Sequence, residues 1–480
     1  MPGQRWRIVP SLVLGLALFG LAPAVPTAPV SAAVQAQQTT AWEPYRYFPA
    51  TGHNISFDVK RFYERQGDLE VFGLPLTEVI WENGVQVQYF ERARLEIHPE
   101  NKDTDYYILA TRLGAVAAEG REAEEPFAWR TGPSYEGATF YPESGHSLGG
   151  GFRDYWTNHG GLYTFGYPIS EEFSEVNAED GQTYTVQYFE RARMEWHPEH
   201  AGTKWEIQQG LLGKQYITRM GIDQNLLKPA REVQKLGGAT TYYRGSNAER
   251  INNIKRSADR FKGITVKAGQ VFSFNQNVGD VSEEAGFTDG YAIVNGKLEK
   301  VVGGGLCQVS TTMYRAVFNS GLPIVERYGH SYIVYYYENI LGFDATVFVP
   351  EVDFRWKNDL GTDIFMWTDT DTSAGRVTFT LWGYGDGRRA SMEGPTYSNE
   401  QQPGKPVWQY DKTMRRGAVE QLVHGRAGMD VTMYRVITNA NGATNRERFF
   451  TRYYPWEDFY LYGPGVKPPA GVTIAPPRHP

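Results

Sequence analysis

Cysteine is almost missing from this chain: Cys307 is the single one among 480 residues. One thiol cannot close an internal disulfide, so it is free or pairs with another molecule. Dense basic stretches are missing too, and the net charge is −7. Phosphate backbones are held by clustered Lys and Arg, so nucleic acid is not an expected partner. There is no His-x-x-x-His or paired-cysteine pattern for zinc and no Walker or dinucleotide fingerprint, so neither metal nor cofactor is expected. After the first residues, no apolar run approaches the ~20 residues that span a bilayer.

The chain does have enough apolar material for packed cores, 41% of residues, which excludes wholesale disorder. Aromatics at 14% and 52 glycines favour β-rich modules with tight turns over a helical bundle. At about 150 residues per domain, roughly three domains are expected. Residues 1–33 read as a secretory signal peptide. Arg5 and Arg7 precede a short apolar run over residues 8–21, and Val30-Ser31-Ala32 offers a cleavage site. Pro23, Pro26 and Pro29 interrupt the residues after that run, which argues against a spanning helix. The expectation is a secreted or envelope-associated protein outside the cytoplasmic membrane, touching it only through an uncleaved signal.

Two stretches, residues 45–115 and 138–220, read as copies. Phe48-Pro-Ala-Thr-Gly52-His53 recurs as Tyr141-Pro-Glu-Ser-Gly145-His146. Val71-Phe-Gly73-Leu-Pro75 recurs as Thr164-Phe-Gly166-Tyr-Pro168, and Gln88-Tyr-Phe-Glu-Arg-Ala-Arg94 as Gln187-Tyr-Phe-Glu-Arg-Ala-Arg193. Duplication explains this best. Each copy predicts a short helix (57–66 and 152–159), a Phe-Gly-x-Pro turn, then strands, with 115–137 as linker. The Phe-Gly-x-Pro block resembles the LGFP-type repeats of exported cell-wall proteins, which implies a role in holding the protein on the envelope. His53, His98, His146 and His197 recur with the copies and belong to their architecture before any metal site.

A capping box at Ser246-Asn-Ala-Glu249 opens a helix with apolar Ile251, Ile254, Ala258 and Phe261, closed by Gly263. From there Gly269-Gln-Val-Phe-Ser-Phe-Asn275, Gly303-Gly-Gly-Leu-Cys-Gln-Val-Ser-Thr-Thr312, His330-Ser331, Gly342-Phe-Asp-Ala-Thr346 and Asp353-Phe-Arg-Trp-Lys-Asn358 come in order. With Gly245-Ser-Asn-Ala248, these motifs closely resemble the VanW (vancomycin-resistance W) family. The resemblance implies an exported protein of the Gram-positive-type wall and little about mechanism. Residues 238–394 are assigned to this domain. Residues 395–465 read as a small β module with a hairpin turning at Asn441-Gly442. They resemble the G-five type, best at Tyr454-Pro-Trp456 and Tyr462-Gly463. Residues 466–480 read as a disordered Pro-rich tail. The fold class expected is α+β and multi-domain, with two duplicated small α+β repeats, a central α+β VanW-like domain and a C-terminal all-β module.

The central segment carries the candidate chemistry. Gly303, Gly304 and Gly305 precede an apolar-periodic run with Val309, Met313, Ala316 and Val317, closed by Gly321. Cys307 then falls in a helix first turn, where unpaired N–H groups and the dipole favour a thiolate. The glycine N–H groups would suit an oxyanion. A nucleophilic thiolate needs a base and an orienting group. His330 is the histidine between Lys214 and Pro395, and Asp344 comes after it. With His330 before a β-prone run at 332–337 and Asp344 before a strand at 346–349, the order is that of transglutaminase-like and NlpC-type peptidases, a fold-level analogy. Gln308, Ser310 and Thr311 lie near Cys307 and are candidates for a polar substrate groove.

Bland readings stand beside each of these. A lone cysteine packs as a small hydrophobe, His330 bonds backbone at a strand start, Asp344 caps a turn, and Ser310 and Thr311 bond within the helix. Tyr335-Tyr336-Tyr337 reads as strand core before a sugar platform. Two functions remain open: thiol-dependent acyl transfer or hydrolysis on peptidoglycan, as an amidase, peptidase or transpeptidase, or non-catalytic binding to peptidoglycan or another wall polymer. A purely structural surface protein is the third.

Overall fold

The computed structural model describes residues 42–102, 104–294, 297–334 and 340–478. The signal expected at 1–33 and the tyrosine run at 335–337 lie outside the described residues. The fold is mixed α and β, mostly small antiparallel sheets.

The same order of elements runs twice near the N-terminus. Strands Tyr45–Phe48 and His53–Ser56 pair, then α1 (Phe57–Arg65) and α2 (Asp68–Phe72) precede a four-stranded meander from Ile80–Glu82 to Ile108–Ala110, and α3 (Leu113–Ala118) closes the run. Strands Thr139–Tyr141 and His146–Leu148, α4 (Gly150–Asn158), α5 (Gly161–Phe165), a second meander from Phe173–Val176 to Ile207–Gln209, and α6 (Leu212–Met220) repeat the same plan. One buried amide staples each copy. Gln88 Nε2 donates to Asn54 O and Thr77 O, both at 2.7 Å; Gln187 Nε2 donates to Ser147 O at 2.7 Å and Ser170 O at 2.9 Å.

The closing helices are exchanged between the copies. On α3, the Ala115 N–H donates to Glu190 O at 2.9 Å; on α6, the Lys214 N–H donates to Glu91 O at 3.1 Å. Small residues make this approach possible: a Cβ on Gly114 would lie 1.9 Å from Phe189 O, and one on Gly213 1.9 Å from Phe90 O. Gly213→Ala should therefore destabilise the fold by about 2 kcal/mol through overpacking against backbone. Urea denaturation checks this, and an unchanged midpoint would refute the docking argument. Residues 115–137, expected as linker, pack on the second copy instead. Arg121 pairs with Glu175 at 2.7 Å, and Phe127 meets Tyr188 with ring centroids 5.4 Å apart.

An aromatic seam joins this unit to the central domain. Phe57 meets Phe365 (centroids 4.3 Å apart), Tyr45 meets Trp382 (5.7 Å) and Trp42 meets Trp367 (5.2 Å). The central sheet is antiparallel in the order Gln234–Tyr242, Arg376–Gly383, Ile364–Asp371, Thr265–Val266. Two helices share one core with it: α7 (Ala248–Phe261) through Ile254, Ala258 and Phe261, and, beyond the short α8 (Phe274–Val278), α9 (Leu306–Ser320) through Val309, Met313, Ala316 and Val317. Full burial of each larger apolar side chain contributes about 2 kcal/mol. The cap of α7 is Asn247, whose side chain accepts from the Arg250 N–H at 3.1 Å, one residue past the expected Ser246. The Ser246 hydroxyl instead accepts from the Arg250 guanidinium at 2.7 Å. Gly321 ends α9 in the left-handed region.

Three C-terminal expectations change. Strand Arg389–Gln401 runs straight through the expected boundary at 394/395, because it pairs with Gly428–Thr438 along its length. The 466–480 tail, expected to be disordered, contributes strand Thr473–Ala475, since Val407–Tyr410 offers an unpaired parallel edge to it. The expected strand at 346–349 is two isolated bridges, Tyr328 with Thr346 and Phe348 with Val352. Side chains, rather than a neighbouring strand, hold the segment before it. The hairpin turning at Asn441-Gly442 pairs Gly428–Thr438 with Thr444–Tyr453.

Candidate active site

The glycine run sets where α9 begins. Gly304 lies against the backbone of Gly290, where a Cβ would come within 2.4 Å of carbon, and Gly303 has φ +88. Asn253 on α7 clamps this loop, donating to Thr288 O at 2.8 Å and Gly304 O at 3.0 Å. The N–H of Gly303 donates to Thr288 O and that of Gly304 to Val301 O. Those two groups are therefore committed within the fold, and the expected oxyanion role for Gly303 and Gly304 does not hold. Gly305 is the N-cap residue of α9, and Cys307 stands in the helix first turn.

Cys307 is half-buried; its sulfur lies 3.4 Å from Thr346 Oγ1 and 3.5 Å from Val347 O, and the His330 ring is near enough to lower the thiol's pKa. His330 Nδ1 lies 2.5 Å from Asp344 Oδ2, which also accepts the His330 backbone N–H at 2.8 Å. With Nδ1 on the carboxylate, Nε2 is the ring nitrogen left for sulfur. Asp344 is 1% exposed, and its other oxygen accepts from Tyr453 Oη at 2.8 Å, with Arg327 3.6 Å away. The structure thus brings Cys307, His330 and Asp344 together from the helix and two irregular segments.

Side chains on and around α9 position those segments by taking four successive carbonyls. Arg327 donates to Gly342 O (2.7 Å) and Asp344 O (2.6 Å), Arg315 to Phe343 O (2.7 Å), and Ser310 to Ala345 O (2.6 Å). Thr311 both donates to Ala345 O and accepts from its N–H, each at 3.1 Å. Ser310 and Thr311 are wholly buried in this task, so the expected substrate-groove role fails for both. It fails for Gln308 as well, whose amide lies buried between Arg250 NH2 (3.0 Å) and Thr241 Oγ1 (2.6 Å). Burial of these polar groups demands partners: the backbone of Ala345 supplies them for Ser310 and Thr311, and Arg250 and Thr241 for Gln308.

Charge follows from this geometry. Burial pushes the Cys307 thiol up, but the hydrogen bond and charge of His330 outweigh it, and the thiol is lowered to about 7. Burial pushes His330 down, but hydrogen bonds to Asp344 and Cys307 and their charges raise it to about 10. Burial likewise works against the Asp344 carboxylate, yet His330 and Arg327 hold it well below the usual range. At neutral pH His330 is an imidazolium and Asp344 a carboxylate, and Cys307 is about half thiolate. That is the set of charges a nucleophile, a general acid–base and an orienting group require.

Arg327, Thr346 and Tyr453 were not picked out from the sequence. Arg327 sits three residues before His330 and carried no distinguishing pattern; Tyr453 lies in another module. Beside them, Tyr314 buries a hydroxyl with no hydrogen-bond partner among the described residues, while its ring packs on Phe343 and Phe354. Tyr314→Phe is expected to leave stability unchanged or raise it by up to about 1 kcal/mol. A loss of about 2 kcal/mol or more in urea denaturation would show a hidden partner. Among the described residues no cluster of three or more His, Cys, Asp or Glu is placed to hold a metal ion.

Comparison with known proteins places this site in a recognised segment. Residues 249–382 match the family described as VanW like protein. An uncharacterized protein, YoaR, of Bacillus subtilis (strain 168) is 40% identical over 145 residues, 30% of this chain and 47% of that one. The vancomycin B-type resistance protein VanW of Enterococcus faecalis is 30% identical over 125 residues, 25% of this chain and 46% of that one. The chain thus spans about half the length of these curated relatives. It also matches the crystal structure of HP0197-G5 at 22% identity, over 16% of this chain and 99% of that one, with a TM-score of 0.09. The segment that carries Cys307, His330 and Asp344 is similar to the VanW like protein family and to the matched parts of these two relatives.

Proposed function

We propose that this is an exported cell-envelope protein whose VanW-like domain performs thiol-dependent acyl transfer or hydrolysis on the peptide stems of peptidoglycan. The observation that carries the reading is the Cys307–His330–Asp344 arrangement, in which the imidazole lowers the thiol to about 7. The Cys307 thiolate adds to a stem amide carbonyl, and the oxyanion faces the backbone N–H of Cys307 in the first turn of the helix. The C–N bond breaks as the His330 imidazolium gives its Nε2 proton to the leaving amine, leaving a thioester on Cys307. Neutral His330 then takes a proton from water or an incoming amine, which displaces the thiolate and yields an acid or a new amide. Asp344 holds the imidazole in the tautomer this requires. The N-terminal signal pattern and the LGFP-like Phe-Gly-x-Pro turns support export and retention on the envelope.

The test is incubation of purified peptidoglycan with the protein and with its Cys307→Ala variant, followed by mass spectrometry of the muropeptides. New fragments or cross-links made only by the parent protein support the reading. Identical profiles would leave a wall-binding or structural surface protein in its place.

A further inference from the structure

The C-terminal hairpin is built into the neighbourhood of Asp344. A Cβ on Gly342 would lie 2.9 Å from Val431 Cγ1, and one on Gly329 would lie 2.6 Å from Thr451 Cγ2. The central domain thus lacks side chains at two points where the hairpin presses on it. Backbone bonds track the same seam. The Tyr454 N–H donates to Ser331 O at 2.8 Å, immediately after His330, and Arg327 donates to Thr451 Oγ1 at 2.9 Å. Between these contacts Tyr453, 4% exposed, turns its hydroxyl to the 342–344 segment.

That hydroxyl has a fixed polarity. It accepts the Gly342 N–H at 2.8 Å, so its own proton goes to Asp344 Oδ1, also at 2.8 Å. Asp344 is then held at both oxygens: Oδ2 by the ring and backbone N–H of His330, Oδ1 by Tyr453. The charged and titratable groups facing this carboxylate are His330, Arg327, Tyr453 and Tyr314. Arg327 is 3.6 Å from Oδ1, so the phenol is the closer of the two donors to that oxygen. A carboxylate free to turn about its Cβ–Cγ bond would lose alignment with Nδ1, and a misalignment of about 1 Å suffices to degrade such a site.

We propose that Tyr453 is a positioning residue of the Cys307–His330–Asp344 site, which makes the C-terminal hairpin a structural part of that site. This rests on the reading of Cys307 as an activated nucleophile. Tyr453 fixes the carboxylate, the carboxylate fixes the imidazolium, and the imidazolium holds the thiol in its charged form. The two modules are one functional unit, and sequence changes in the hairpin register at the thiol.

The test measures iodoacetamide alkylation of Cys307 in the full chain against pH, for the parent protein, Tyr453→Phe, His330→Ala and Asp344→Asn. Tyr453→Phe keeps the buried ring and removes the hydroxyl. The midpoint of its alkylation profile should rise by about one pH unit, a loss of roughly fivefold in thiolate near the parent midpoint, with thermal unfolding still cooperative. An unmoved midpoint would overturn the proposal, because a packing role would alter melting and leave the thiol's titration alone. Should Tyr453→Phe fail to fold, fluorotyrosines at 453 replace it. They keep the hydrogen bond and vary its donor strength, so the midpoint must follow the phenol's acidity, and a constant midpoint overturns the proposal equally. A parent midpoint near that of a free thiol, or one that His330→Ala and Asp344→Asn leave in place, sinks the nucleophile reading itself and this inference with it. Movement in those two variants without movement at Tyr453 sinks this inference alone.

Discussion

His330→Ala should shift the alkylation midpoint of Cys307 from about 7 to about 9 or above, the ordinary thiol value of 9.0 or higher. Two opposed effects set the native value: burial raises it, and the hydrogen bond and charge of His330 lower it by more. Removing the imidazole leaves the burial, so the direction is upward. The size of the rate change is smaller than the shift suggests. At a pH of about 6.5 a rise of about two units cuts the thiolate fraction roughly a hundredfold. A more basic thiolate is also the better nucleophile, with a Brønsted slope of about 0.45, which returns almost tenfold. The net slowing with iodoacetamide is therefore about tenfold, and the midpoint is the sharper observable. Turnover on peptidoglycan should fall further, by about a thousandfold, because the variant has also lost the acid for the leaving amine. The parent profile should rise with pH through about 7 as the thiolate forms and decline as the His330 proton is lost through about 10. A His330→Ala protein that alkylates with the parent midpoint would remove the imidazole from any role at the thiol.

Features set by neighbours in sequence were legible, and features set by neighbours in space were not. Gly321 ends α9 and Asn441-Gly442 turns the C-terminal hairpin because backbone sterics act locally. Cys307 lies in a helix first turn for the same reason, since Gly305 can adopt φ +120. The polar side chains of α9 were another matter. Ser310 and Thr311 looked available on the helical pattern, and only the path of residues 342–345 consumes them. The same path explains why 346–349 is not a strand despite its β-prone residues. Arg315 and Arg327 fix the carbonyls of residues 342–344 just before it, and Thr346 and Phe348 then meet only single bridge partners, Tyr328 and Val352. His330 and Asp344 were legible as residue types; of the strands expected beside them, 332–337 lies partly outside the described residues and 346–349 is two isolated bridges. Tyr453 is 109 residues from Asp344 and gave no local sign of its partner. A boundary drawn at 394/395 on composition also hid the hairpin's attachment, because strand Arg389–Gln401 reads equally well from either side.

Arg435→Ala is the substitution expected to cost the most stability, about 3 kcal/mol. Arg435 is fully buried, and its guanidinium reaches the C-terminal end of α9, donating to Leu322 O at 2.9 Å, with Val317 O and Phe318 O at 3.5 Å. Leu322 lies just past the helix, and its carbonyl takes the shortest of these bonds; Phe318 O also accepts the Gly321 N–H and Val317 O the Ser320 hydroxyl. On its other side Arg435 pairs with Glu447 across the hairpin through Nε at 2.9 Å and NH2 at 2.5 Å, and its charge lies over Phe318 and Phe449. Alanine would take the guanidinium from Leu322 O, strand a carboxylate and open a cavity beside the two rings. The Glu447 side chain is 33% exposed and can rehydrate, which places the cost at the lower end for breaking a buried pair. The double variant Arg435→Met, Glu447→Met should therefore recover roughly half of the loss: it restores volume and removes the stranded charge, while Leu322 O stays unpaired. Urea denaturation reads both changes, and an Arg435→Ala midpoint equal to the parent's would refute the role of this contact. The thiol supplies a second reading. Because the same hairpin carries Tyr453, loosening it at Arg435 should raise the Cys307 alkylation midpoint in the native protein, even though Arg435 touches none of the three site residues.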